Sequence, residues 1–248
     1  MIWEQCRGPE RIGPIEGLMF RLVESQEQIA TLSYVDTLEE QALLEEMLEA
    51  AKPDYRDAHE GLHFLLRTPF RYPPLKWGSR FGRVHEPSLF YGGGSVATTL
   101  AESAFYRLVF WFSMDGEPIK AHMRTEHTLF SVGYRTPHGV RLQDASFHLH
   151  LAELTHPRHY TACQALGTAM REAGVQAFEY RSARDPAGGL CAALFSAEAF
   201  TSRAPLDKAQ WLCETTAREV SFKQVGSREV LSYALEAFLV DGELPLPA

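Results

Sequence analysis

From Gly17 the chain alternates apolar and polar residues in "GLMFRLVES", a period of two that predicts a strand carrying Arg21. The period then lengthens. In "DTLEEQALLEEMLEAAKP", Leu38, Ala42, Leu43 and Met47 recur at helical spacing, and that apolar stripe requires a surface to pack against. Asp36 or Thr37 can cap the helix, Glu39 and Glu40 suit its positive end, and Pro53 follows its stop. The proline-rich "RTPFRYPPLKWGSRFG" suits neither a helix nor a central strand and predicts a shaped loop. "SLFYGGG" reads as a short strand closed by a turn, and "VATTLAESAFYRLVFWFS" as a helix.

Further along, "PIKAHMRTEHTLFSVGY" and "GVRLQDASF" predict two strands, and "YTACQALGTAMREAG" a helix stopped by Gly174. "VQAFEYRSARDPAGGLCAALFSAEAF" reads strand, turn, strand; "QWLCETTAREVSFKQV" adds one or two strands, and "REVLSYALEAFLVDG" predicts a closing helix. The fold class expected is α+β, with mixed, mostly antiparallel sheets and flanking helices. No repeat, low-complexity tract or linker divides the chain, so residues 1–248 are expected to form one domain with a helical insertion at about 36–60.

Composition narrows the function classes. With 45% hydrophobic and 23% charged residues, the chain can bury a core. A formal net charge of −8 argues against a general binder of nucleic acid or anionic membrane. "MIWEQCRGPERIG" lacks the apolar run of a secretory leader, and no segment is apolar enough to span a bilayer. Cys6, Cys163, Cys191 and Cys213 form no CxxC pair, which favours a reducing compartment and a cytoplasmic location over a disulfide framework or zinc knuckle.

Most candidate chemistry is generic when taken one motif at a time. "YGGGSVATTLAE" lacks both the Walker Lys-Ser/Thr and G-x-G-x-x-G spacing, so a strand-to-helix turn accounts for it. His148, His150, His156 and His159 contain an H-x-H pair but no HExxH helix, and loop histidines explain them better than a metal site. Glu24, Glu102, Glu153 and Glu179 lie near element boundaries, where spacing alone does not select a glycosidase pair. Ser95 lacks the G-x-S-x-G elbow. One regularity stands apart: Arg80, Tyr91 and Glu102 follow one another at intervals of eleven residues, on three successive predicted elements.

That combination, together with "TPFRYPPLKWGSRFG", "LFYGGGSVATTLAE", "YTACQALGTAMREAGVQAFEYRSARD" and "GLCAALF", resembles the RES-domain family of bacterial toxins. The resemblance runs from about Gly17 to the C-terminal strands. It implies an ADP-ribosyltransferase-like fold, NAD as substrate rather than cofactor, and no metal. By matching position, it implies a catalytic set of Arg80, Tyr91 and Glu102. Arg21, Ser182, Arg71 and Thr161 are implied in substrate binding. The segment between Arg21 and Arg80 is longer than in short relatives, so Arg67 or Arg71 competes with Arg21 for the upstream arginine. Arg181 stands where relatives often have proline and is a further candidate phosphate contact.

The implied reaction is cleavage of the nicotinamide–ribose bond with phosphate or water as acceptor, by an NAD phosphorylase or glycohydrolase. Transfer of ADP-ribose to a protein, or an inactive binding scaffold, are the alternatives. The implied partners are NAD, inorganic phosphate and an Xre-like antitoxin whose DNA-binding half spares the toxin any contact with nucleic acid. Homodimerisation is compatible with the sequence, although no surface for it is evident.

Overall fold

The computed structural model describes residues 1–25, 34–54, 60–116, 118 and 120–246. Residues 55–59 of the expected insertion and Ile119 of an expected strand lie outside the described residues. Among the described residues, eight strands form one sheet: β1 (Gly13–Glu24), β2 (Phe90–Gly93), β3 (Met123–Arg141), β4 (Ala177–Arg181), β5 (Leu190–Leu194), β6 (Asp207–Thr215), β7 (Glu219–Gln224) and β8 (Leu231–Ala234). Their order is β1-β2-β5-β4-β3-β6-β7-β8, and β1 also pairs with β3, so the first five strands close into a ring. Among the described residues, only the β3–β4 pairing is parallel. The helices are α1 (Ile2–Gln5), α2 (Leu38–Ala50), α3 (Phe64–Arg71), α4 (Val96–Phe112), α5 (Leu151–Leu154) and α6 (Thr161–Glu172). This is the α+β architecture of mostly antiparallel strands that the pattern predicts. Among the described residues, no helix is long and apolar enough to cross a membrane.

The two strands expected between Pro118 and Phe147 are a single 19-residue strand as far as Arg141, after which the chain enters a 3₁₀ turn at Ala145–His150. Pairing explains its length. One edge of β3 is covered by β1 from Glu24↔His127 to Gly13↔Gly139. The other edge is shared, with β6 holding Met123 to Ser131 and β4 holding Gly139 to Arg141. Thus β3 belongs both to the ring and to the β6–β8 wing. By contrast, β1 and β2 meet at one pair, Phe20↔Gly93. The seam between them opens there.

Three further expectations are corrected. The proline-rich segment begins inside α3, because Leu65, Leu66 and Phe70 bury against Phe90 and Phe130; Pro69 is tolerated in so short a helix. The final helix is instead β8 followed by a 3₁₀ turn at Leu235–Phe238: Leu231 to Ala234 pair with β7, and Phe238 is the buried anchor. The stripe of α2 stays uncovered by the described residues, with Leu38, Leu43 and Met47 at 77%, 57% and 61% exposure. Thr37 caps that helix by accepting from the Glu40 N–H.

α4 lies over the seam and against the wing. Leu100, Ala104, Phe105 and Leu108 bury against Trp211, Cys213, Val220 and Phe222. α6 packs Cys163, Leu166 and Met170 into a second core with Phe178 and Tyr180. α4 forms one wall of the cleft described next, and α6 braces the loop that forms the other.

Candidate active site

A cleft of about 490 Å³ opens at the β1–β2 seam. Its floor is Phe20, Arg21, Leu22 and Glu24 of β1 and Tyr91 to Gly93 of β2. One wall is α4, which presents Thr99, Glu102, Ser103, Tyr106 and Arg107; steps of three and four along a helix fall on one face. The facing wall is the loop from Leu75 to Arg80, and Tyr160, Tyr180 and Cys191 close the deep end.

The start of α4 is fixed by local chemistry. Ser95 caps it by accepting from the Thr98 N–H at 3.1 Å. Gly93 is required where β2 passes beneath the helix, since a Cβ there would sit 2.4 Å from Thr99 Oγ1 and 2.7 Å from its backbone nitrogen. The glycine run therefore serves backbone approach, as expected of a strand-to-helix turn.

Glu102 lies half-buried one turn into the cleft wall. Ser182 Oγ donates to its Oε1 at 2.5 Å. Burial pushes the Glu102 carboxyl above the ordinary range, opposed by the Ser182 hydroxyl and by the Arg80 and Arg184 guanidiniums. Ser182 is not among the lining residues. It stands behind Glu102, and its oxygen also accepts from the N–H groups of Arg184 and Asp185 at 3.1 and 2.9 Å.

Arg80 is 9% exposed. Its Nη1 donates to the carbonyls of Leu154 and His156 at 3.2 and 2.9 Å, and its guanidinium lies 4.5 Å from the centroid of the Tyr160 ring. Gly78, at φ +75°, turns the loop into this position. Phe81, fully buried edge-on to Phe178 and Tyr180, anchors it from below. Gln164 of α6 adds two bonds, to the carbonyls of Trp77 and Ser79, each at 3.1 Å.

Tyr91 ties this loop to the floor. Its hydroxyl is 2.9 Å from Ser79 Oγ and accepts from the Phe81 N–H at 3.2 Å, so it grips the residues on either side of Arg80. Burial raises this phenol to about 12, leaving it neutral. The Tyr91 carbonyl accepts from Arg21 Nη1 at 2.7 Å. Arg21 lies over the Phe90 ring at 5.1 Å, and burial lowers it to about 10, which leaves it charged at neutral pH.

Of the residues expected from sequence, Arg80, Tyr91, Glu102 and Arg21 face one cavity. Arg71 does not: it ends α3 and is held by Glu49 at 2.7 Å and by the Pro53 carbonyl. Thr161 is exposed at the first turn of α6, and its neighbour Tyr160 is the one that enters the cleft. Arg67 does not line the cavity, and Arg181 is exposed and donates to the Gly188 carbonyl at 3.2 Å. Of the other carboxylates, Glu24 lines the far end. Glu179 binds Tyr134 and Gln143 elsewhere, and Glu153 pairs with His150. The histidine-rich stretch forms turns, with His156 Nδ1 accepting from the backbone of Arg158 and His159. Among the described residues no group of His, Cys, Asp and Glu is arranged to hold a metal.

Tyr106, Arg107, His127, Tyr160 and Gln164 were missed at the level of sequence. The helical stripe through Glu102 was a usable signal for Tyr106 and Arg107. For His127 and Gln164 there was none, because strand pairing and helix packing bring them in.

A family model described as "RES domain" matches residues 54–216, a range that holds Arg80, Tyr91, Glu102 and Ser182 and begins after Arg21 and α2. No curated protein matches the chain. Among solved structures, a chain of the crystal structure of the M. tuberculosis MbcT–MbcA toxin–antitoxin complex aligns over 94% of this chain and 91% of that one. It is 10% identical, with a TM-score of 0.48.

Proposed function

Because the chain belongs to the RES-domain family, we propose that its cleft breaks the nicotinamide–ribose bond of NAD, passing ADP-ribose to phosphate or water. The observation that carries this reading is Glu102: a desolvated carboxylate, braced from behind by Ser182, opening into a cavity that also holds Arg80 and Arg21. As the C1′–N bond breaks, its electron pair leaves with nicotinamide, a neutral base that needs no acid. Positive charge grows on the ribose carbon. A carboxylate already in position and poorly solvated stabilises that charge without reorganising. An oxygen of the acceptor then bonds to C1′, giving ADP-ribose with water, which releases one proton to solvent, and ADP-ribose-1″-phosphate with phosphate.

Each remaining group has a task suited to its chemistry. Arg80, locked by two carbonyls and Tyr160, offers the rest of its planar fork to an anion near Glu102. Tyr91 lends its ring to the floor of the cleft while its hydroxyl holds the Arg80 loop. An enzyme that drains NAD in the cytoplasm requires restraint, and an Xre-like antitoxin that blocks the cleft fits that need.

The test is direct. Purified protein is incubated with NAD, with and without phosphate, and the products are identified by mass. Nicotinamide with ADP-ribose or its 1″-phosphate is expected, and both are lost in Glu102→Ala. Intact NAD under both conditions overturns the reading. Growth arrest on expression, relieved by Glu102→Ala, separates a toxic enzyme from a binding scaffold.

A further inference from the structure

We infer that Arg107 is the grip for the pyrophosphate of the dinucleotide, at the end of the cleft away from the deep aromatic pocket. The inference rests on the NAD reading and adds to it a residue outside the Arg80–Tyr91–Glu102 set. Arg107 is five residues beyond Glu102 at the other edge of the stripe by which α4 lines the cleft, about 7.5 Å along the axis. In NAD the reacting C1′ and the nearer phosphate are separated by one ribose ring and its C5′. A substrate with C1′ at Glu102 and its length along α4 brings its phosphates to Arg107.

The side chain has donors to spare. It is 15% exposed, yet Nη2 donates to Thr125 Oγ1 at 2.8 Å, Nη1 reaches Glu24 only at 4.0 Å, and the buried Nε has no partner. Arg21, on the floor of the same cleft, likewise keeps a buried Nε without a partner. Guanidinium N–H groups withdrawn from water and left unmatched are costly unless an anion arrives. The carboxylate opposing this cation is largely solvent-exposed, with 64% of the Glu24 side chain open, so an incoming phosphate can displace it. The nearby imidazole of His127 accompanies Thr125 at 2.9 Å and supplies no competing negative charge. Arg80 has committed Nη1 to backbone carbonyls at the deep end, which leaves this second grip to Arg107.

The experiment compares NAD with nicotinamide riboside, which lacks every phosphate, and measures ADP-ribose binding by calorimetry. Arg107→Gln is expected to raise the KM for NAD and the Kd for ADP-ribose about 10- to 100-fold, the worth of a charge-assisted contact. Nicotinamide riboside turnover should stay unchanged. Glu24→Gln, which removes the competing anion, should tighten ADP-ribose severalfold. Arg107→Lys keeps a charge near Thr125 without the fork; should Arg107→Gln fail to fold, Arg107→Lys is expected to show the same selective loss to a smaller degree. Wild-type protein that cleaves NAD while the folded Arg107 variants keep its KM and the ADP-ribose Kd overturns the role of Arg107 alone. Wild-type protein that neither binds ADP-ribose nor cleaves either nicotinamide compound overturns the NAD reading beneath it.

Discussion

Ser182 Oγ donates to Glu102 Oε1 at 2.5 Å, joining the end of β4 to α4 across 80 residues of chain. The same hydroxyl oxygen accepts two backbone N–H bonds, so its proton has one direction left, toward the carboxylate. Ser182 is therefore a positioning residue for Glu102. Ser182→Ala should reduce kcat about 10- to 100-fold, as expected for loss of a hydrogen bond to a charged group. Because that bond favours the ionised carboxylate, the acid limb of the pH–rate profile should move to higher pH. Ser182→Thr, which keeps the hydroxyl, should recover most of both. An unshifted acid limb in Ser182→Ala would refute the assignment.

Glu102 holds a charge where the fold would rather have none. Its folded-state carboxyl lies above the ordinary value, chiefly through burial. A carboxylate whose pKa is raised by folding contributes stability below its unfolded value and loses it as pH rises through the folded one. Glu102→Gln should then cut turnover about 10²- to 10³-fold. At neutral pH it should raise the thermal midpoint, since the amide can still accept from Ser182. Calorimetric melts at pH 7 and pH 4 decide: the stabilisation should shrink at the lower pH.

Tyr91→Phe removes two bonds to the Arg80 loop and leaves the ring in place. A loss of roughly 1–2 kcal/mol in urea unfolding follows. Faster amide exchange should be confined to Ser79–Phe81. Exchange that rises evenly over the whole chain would contradict a local role.

His127 is 4% exposed, and burial, assisted by Arg107, lowers its imidazole to about 4. A histidine whose pKa falls on folding costs stability as pH drops, since the unfolded chain takes up the proton first. Between about pH 6.5 and pH 4 the wild-type protein should lose on the order of 3 kcal/mol from this group. His127→Gln, which can still reach Thr125, should flatten that part of the stability curve. Parallel wild-type and variant curves would exclude it.

Arg71→Ala and Thr161→Ala should each leave NAD turnover within about twofold, since neither side chain lines the cleft. Arg71→Ala should cost about 1 kcal/mol through its contacts with Glu49 and Pro53. A large loss of turnover with intact folding would put Arg71 back among the substrate contacts.

Periodicity along the chain predicted β1, α2, α4 and α6, the strand–turn–strand of β4 and β5, and one or two strands where β6 and β7 lie. It failed where tertiary burial outweighed local preference. α3 accepts Pro69 because Leu65, Leu66 and Phe70 have a core to enter. The last segment pairs as β8 because the edge of β7 is open to it.

By itself the sequence determined the residue types and their order: a guanidinium, a phenol and a carboxylate on three successive elements, with a serine to follow. Tertiary structure decided their duties. It turned the Tyr91 hydroxyl onto the Arg80 loop, set Ser182 behind Glu102, moved Arg71 out to Glu49 and brought Arg107, His127 and Tyr160 into the cleft. The physical reason lies in range. A local pattern reports which side of an element avoids water, but which groups meet depends on pairings between distant segments. Here those are the single β1–β2 contact that opens the seam and the β3 edge divided between β4 and β6.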